Sequence, residues 1–386
     1  MLQIVWVRKF MYISAFSLII IPACDVRKTY NPMLFVFGII LLTITALISG
    51  FKSYGFKVTK TELKVWTIWI VLLISLFPAY IVGNISFSQI AEQGLIFILY
   101  FIVLAKSDLE LLDLFVTAVV TNLYMIYRCF FELGIMESYY QGTMINPNQM
   151  ALVLIGGAIG SLYIITSFNS IIRFLGLFVF STTVVLIYYT SSRTIMLTLV
   201  FSCIIYVIYY IDVKKNINIL DFTKTRKFFV VLCCSVFLIF YFLLRFREEI
   251  TMFLFAKWGN DSSRLLSGRT EIWNDILKNM SLTGNYKSLI NSNNDFMDWL
   301  VKYGVISFCA YIILIITLCF ISIKRYQKMK NNGNIWIVIV MFTYLCISIF
   351  ENIHAVFGKS INIMFWCVMG FAIRQEKTSY LTGKEL

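Results

Sequence analysis

The chain has 386 residues, of which 60% are hydrophobic and only 14% charged, with mean hydropathy +0.82 and a formal net charge of +13. A soluble protein carries about 25% charged residues, and no soluble core needs repeated apolar runs long enough to cross ~30 Å of hydrocarbon. The composition therefore excludes a soluble enzyme or scaffold and predicts an all-α polytopic membrane protein, organised as one membrane domain over 1–386. The excess of positive charge is what the positive-inside rule puts into cytoplasmic loops, so it argues for orientation and against a nucleic-acid partner. A single histidine, His354, excludes a His-rich metal site. The nine cysteines show no CxxC spacing and read as small hydrophobes, not ligands or disulfides.

About twelve transmembrane spans are expected, near 10–24, 33–50, 65–83, 89–105, 110–131, 148–166, 171–189, 194–212, 228–245, 298–323, 335–350 and 361–374. The first run follows Arg8 and Lys9 and could serve as a signal peptide, but it reads as a first span. Loop charge then alternates. The segment 51–64 carries four lysines, 213–227 five basic residues and 324–334 four, whereas 84–88 and 134–146 carry none. Arg27 and Lys28 are a small exception. This alternation favours an even number of spans with both termini in the cytoplasm.

The polar stretch 246–297 then falls on the opposite, periplasmic side as one large loop. Within it, "SGRTEIWNDILKNM" sets Ile272, Trp273, Ile276, Leu277 and Met280 at helical spacing. That pattern predicts an amphipathic helix at the membrane surface, with Ser267 as cap and Thr270 and Glu271 in the first turn. Asn274, Lys278 and Asn279 fall on its wet face.

Five polar sets are expected at the outer ends of helices. They are Arg193 in "TSSRT", Arg264 and Arg269 in the loop, Asn146, Asn148 and Gln149 in "INPNQ", Asn291, Asn293, Asn294 and Asp295 in "NSNND", and Glu351, His354 and Lys359 in "ENIHAVFGK". Each has a plain structural reading beside the functional one. An arginine at a helix mouth snorkels to lipid phosphate. "NPN" is a turn and helix start with proline at the first position. Asn-rich segments are commonly loops, and Trp273 and Trp299 suit an interfacial aromatic belt. Collected on one side, however, arginine forks beside carboxylates suit an anionic phosphate ligand. The chain has no GxxxxGK[ST], GxSxG or HExxH, so P-loop, serine-hydrolase and zincin chemistry are set aside.

In this order, "NPNQ", "SSRT", "SGRTEIW" and "NSNNDFMDWLVKYGVISF" resemble the O-antigen polymerase and ligase family over roughly residues 140–310. The resemblance implies a bacterial inner-membrane glycosyltransferase that needs no metal or other cofactor. Its partners would be membrane lipid and oligosaccharides on undecaprenyl diphosphate, with a chain-length regulator protein as a candidate partner. Arg193 and Arg269 would hold the diphosphate, with Arg264 in reserve. Glu271, Asp295 and Glu351 would be base candidates, with His354 behind them. Asn146, Asn148, Gln149, Trp273, Asn293 and Asn294 would line the glycan site. Many relatives read His-Asn where this chain has Asn293 and Asn294, which leaves the base unassigned and weakens a ligase reading. The alternatives are a ligase moving glycan onto lipid A or protein and, from another class, a lipid-linked oligosaccharide flippase.

Overall fold

The computed structural model describes residues 2–25, 32–53, 58–134, 140–168, 171–214, 269–285, 294–351 and 360–374. The expected span at 228–245 lies outside them, as do Arg264, Ser267, Asn291, Asn293, His354 and Lys359. Among the described residues the chain is helical with no strand. The long helices are α1 (Leu2–Cys24), α2 (Pro32–Ser53), α3 (Lys60–Ile81), α4 (Phe87–Lys106), α5 (Leu111–Leu133), α6 (Pro147–Ser167), α7 (Ile171–Tyr189) and α8 (Arg193–Lys214). A short α9 (Arg269–Lys278) follows, then α10 (Asp295–Lys328), α11 (Asn332–Phe350) and α12 (Ser360–Ile373). Nine of the described helices are long and apolar enough to cross a membrane, and two shorter apolar helices, within α2 and α12, accompany them. The protein is an all-α, multi-pass membrane protein.

Hydrophobicity does not draw helices together in lipid, so close packing and internal hydrogen bonds must hold the bundle. In α6, "IGGAIG" supplies the small residues. A Cβ on Gly160 would strike the Phe115 carbonyl, and one on Gly157 would strike the Asn122 side chain. Asn122, buried at mid-bundle, donates to the Leu154 carbonyl and to Thr183 Oγ1, both at 3.0 Å, tying α5, α6 and α7 together. Two aromatic clusters fill the remainder. Trp69 packs on Phe97, Phe101 and Trp366, and Trp336 packs on Phe115, Tyr163 and Tyr206. The first helix is part of this core, since Tyr12, Ala15, Phe16 and Ile19 are fully buried. Of the described cysteines, all free, Cys309 departs from expectation by lying exposed on the outside of the bundle.

Polar contacts sort the helix ends onto two faces. On one, Arg8 pairs with Asp108, Lys9 with Glu110 at 2.8 Å, and Lys106 with Glu62 at 2.6 Å. Asn332 there donates to Ser167 at 2.9 Å, and Arg374 donates to the Leu109 carbonyl at 3.0 Å. On the other, Thr143 donates to the Cys24 carbonyl at 2.8 Å and the Tyr140 amide to the Tyr189 carbonyl at 3.0 Å. Asn84 there reaches the Thr283 and Gly284 carbonyls at 2.9 and 2.8 Å. The long described helices run from one face to the other and alternate in direction, with α9 lying between them on the second face.

The tenth helix departs from expectation. The apolar run reads as one span at 298–323, but α10 is broken at Gly304, with φ 80° and ψ 174°. A nine-residue leg precedes the break. The loop after α9 fills the gap: the Val305 amide donates to the Ser281 carbonyl at 3.0 Å, and the Asn285 amide donates to the Val301 carbonyl at 2.7 Å. Both backbone groups would otherwise lack a helical partner near hydrocarbon. Only glycine fits the break, because a Cβ at Gly304 would strike the Leu282 carbonyl.

Candidate functional site

The second face, built from the starts of α6, α8 and α10 and the end of α11, gathers most of the polar residues singled out above. Arg269 opens α9 and extends to the end of α11, where it donates from Nη1 to the Phe350 carbonyl at 2.6 Å and from Nη2 to Glu351 Oε1 at 3.2 Å. The same Glu351 oxygen accepts from Asn148 Nδ2 at 3.1 Å. Two segments more than 80 residues apart and the mouth of α6 thus meet on one carboxylate. The side chains of Arg269 and Glu351 are only 12% and 8% exposed, so the pair is largely shielded from solvent. Arg269 Nε is also buried and has no hydrogen-bond partner among the described residues. A guanidinium offers five N–H donors, so the protein has positioned this one without using it up.

Arg193, half-buried, is the first residue of α8. The hydroxyls of Ser202 and Thr343 lie 2.8 Å apart, and Tyr206 stacks on Trp336, so α8 and α11 run antiparallel. At about 1.5 Å per residue, Arg193 and Glu351 each lie roughly 12–14 Å from the Ser202–Thr343 contact, toward the same face. The register therefore sets Arg193 level with the ion pair, on the neighbouring helix.

The asparagines divide. Asn146 caps α6, accepting from the Asn148 amide at 2.9 Å. Asn294 caps α10, accepting from the Met297 amide at 3.0 Å. Their side-chain oxygens are held by the backbone; this agrees with "NPN" as a helix start, while "NSNN" proves to be a cap and not only a loop. Asn148 instead reaches across to Glu351. Gln149 is exposed beside it.

Of the carboxylates, Glu351 is engaged by Arg269 and Asn148 on one oxygen. Glu271 is exposed in the first turn of α9. Asp295 is 1% exposed at the start of α10 and accepts from Tyr311 Oη at 3.3 Å. Asp298, one turn on, is 3% exposed, and its neighbour Trp299 stacks on Tyr311 at 4.2 Å. On α9, Ile276 is buried and Ile272 and Trp273 are half-buried, while Asn274, Lys278 and Asn279 are exposed. Leu277 and Met280, expected on the apolar face, are exposed too. Met280 follows the last turn, where the chain bends toward the break in α10.

Sequence reasoning missed Asn84, which holds the loop after α9 against the α3–α4 turn, and Asp298 and Tyr311 around Asp295. Arg128 is buried, bonded to Asp25 at 2.7 Å and paired with Glu132. Among the described residues no group of three or more His, Cys, Asp and Glu side chains is placed to hold a metal ion.

The sequence matches no model of a known protein family, and no curated protein matches it.

Proposed function

We propose that the protein is a polysaccharide repeat-unit polymerase of the bacterial inner membrane, with its termini in the cytoplasm and the Arg269 face toward the periplasm. The donor is a glycan on undecaprenyl diphosphate, and the acceptor is a hydroxyl on the distal sugar of a second lipid-linked repeat unit. The acceptor oxygen forms a bond to the anomeric carbon as the bond from that carbon to the diphosphate oxygen breaks. The hydroxyl proton passes to a carboxylate, Asp295 or Glu271, and the lipid diphosphate leaves with its charge held by arginine. The leaving group is already good, so the protein's contribution is charge neutralisation and alignment, and the reaction proceeds without a metal.

The observation that carries this reading is Arg269. It is a shielded arginine with an unused Nε–H, clamped by Glu351 at the mouth of the bundle and level with Arg193. Such a fork suits phosphate oxygens at the depth where a lipid diphosphate sits. Glu351 and Asn148 act as positioning residues that hold the guanidinium in place.

Lysine keeps the charge but loses the fork, so Arg269→Lys and Arg193→Lys should each cut turnover by about 10²-fold or more. In cells, long glycan should collapse to single repeat units on a gel at unchanged protein level. Arg173→Lys, on the opposite face, should leave chain length unchanged. Equal loss at all three positions would mean general membrane anchoring and would overturn the reading.

A further inference from the structure

The face opposite Arg269 carries a second feature that the proposed polymerase does not use. The start of α3 and the ends of α10 and α12 enclose an open cleft of about 660 Å³. Four lysines line it: Lys60 and Lys64 from α3, and Lys324 and Lys328 from α10. Each pair is spaced four residues apart, so each stacks on one side of its helix. Like charges at this spacing destabilise a helix unless something neutralises them. Among the described residues no carboxylate lines the cleft. Among the described residues these lysines have no ion-pair partner, and Lys324 has only the Phe320 ring, 5.9 Å from its Nζ.

The other charged groups nearby are already engaged. Glu62, on the same turn of α3, is fully buried, takes part in the α3 capping box and pairs with Lys106. Arg325 donates to Asn334 Oδ1 at 3.1 Å and to the Phe371 carbonyl at 2.6 Å, so it caps the end of α12. Arg374 donates to the Leu109 carbonyl and lies over the Phe371 ring. These two arginines build the wall and leave the four ammonium groups as the cations available to a ligand. Deeper along α10 and α12 the lining turns apolar, at Phe320, Ile321, Ala372 and Ile373.

We propose that this cleft is a binding site for a phosphate-bearing anion, with the headgroup of an anionic phospholipid as its occupant. The lysines would meet the phosphate, and the apolar wall would take the first part of the acyl chains. Basic pockets between membrane helices suit this chemistry, each lysine adding to the attraction for an anionic headgroup. A volume of 660 Å³ falls within the roughly 300–1,000 Å³ common for ligand clefts. The inference does not rest on the function proposed for the opposite face.

The test uses the full-length protein in a neutral detergent, with the shift in melting midpoint read against added ligand. A cardiolipin-type lipid with two phosphates and a phosphatidylglycerol should both raise the midpoint saturably, and phosphatidylcholine should not. Replacing Lys60, Lys64, Lys324 and Lys328 together by glutamine should weaken the lipid effect at least about tenfold. Arg173→Gln, an exposed charge on the same face outside the cleft, should leave it intact. Inorganic diphosphate distinguishes the source. A lysine-dependent shift with lipid alone assigns the site to a headgroup, and an equal shift with diphosphate assigns it to free phosphate. A native mass spectrum counting bound lipid keeps the test decisive if the quadruple variant is itself less stable, because Lys60→Gln/Lys64→Gln alone should already lower lipid occupancy. An equal response to phosphatidylcholine, or equal loss in Arg173→Gln, would refute the site.

Discussion

Gly304→Ala tests how the polar loop is held on the bundle. Gly304 has φ 80° and ψ 174°, a region open essentially to glycine alone, where another residue costs about 1–3 kcal/mol in strain. Its new Cβ would also strike the Leu282 carbonyl, so relief of the clash must push the loop away. That motion breaks the bonds from the Val305 amide to Ser281 and from the Asn285 amide to Val301, each contributing about 0.5–1.5 kcal/mol net. The total, about 2–6 kcal/mol, corresponds to a rise of about 30-fold or more in the population of the undocked loop. Hydrogen exchange read by mass spectrometry over a peptide spanning 281–305 should therefore speed up by about 30-fold or more at these amides. Gly94→Ala is the control, because nothing lies within 4 Å of the Cβ it would add. Because the loop anchors the end of α9, polymer formation should fall with it. Wild-type exchange in Gly304→Ala would show that the loop is not docked in the break, and the positioning argument for Arg269 would lose its second anchor.

Trp273→Asp sets a charge on the half-buried face of α9 and should abolish polymer formation, whereas Asn279→Asp on the exposed face should leave it within about twofold; equal effects would remove the amphipathic role of the helix. Turnover of purified protein should survive EDTA, and loss with chelator followed by recovery with Mg²⁺ or Mn²⁺ would refute metal-independent transfer. In intact cells, on a cysteine-free background, an impermeant thiol reagent should label a cysteine replacing Asn279 but not one replacing Lys328. The reverse pattern would place the arginine face in the cytoplasm and end the proposed function.

Helices were the most legible part of the sequence, because a run of about twenty apolar residues has one stable form in lipid. The expected span at 171–189 matches α7 end to end, and 148–166 and 194–212 fall within a few residues of α6 and α8. One helix start was legible too: "NPN" reads as a turn and helix start, and Asn146 caps α6, whereas "NSNN" reads as a loop although Asn294 caps α10. The break in α10 was not legible. "VKYGVISF" continues an apolar run, and nothing in it marks a positive φ until the loop carbonyl that occupies the space of a Cβ is known. The partner of Glu351 was equally hidden, because Arg269 lies 82 residues earlier and Asn148 lies 203 residues earlier. Nor could residue type tell the cap Asn146 from Asn148, which differ in direction across one turn.

The break also explains why so polar a loop belongs to so apolar a chain. Val305–Lys328 alone is about 36 Å long at 1.5 Å per residue, enough to cross ~30 Å of hydrocarbon. The leg Asp295–Tyr303 is thus surplus to the crossing and stands at the membrane surface, with Asp295 and Asp298 buried in its first turn. The loop at 281–285 closes onto the end of that leg and onto Asn84, which brings α9 down to the level of the headgroups. Irregular backbone at this depth is tolerated only where protein groups satisfy it, and here the Val305 amide and the Val301 carbonyl both find partners in the loop. Arg269 therefore reaches the bundle from a segment pinned at its far end by the broken helix and at its near end by Glu351. A guanidinium held from two directions, in a shielded mouth level with Arg193, would lose little freedom on meeting a phosphate, which is the preorganisation the proposed transfer would need.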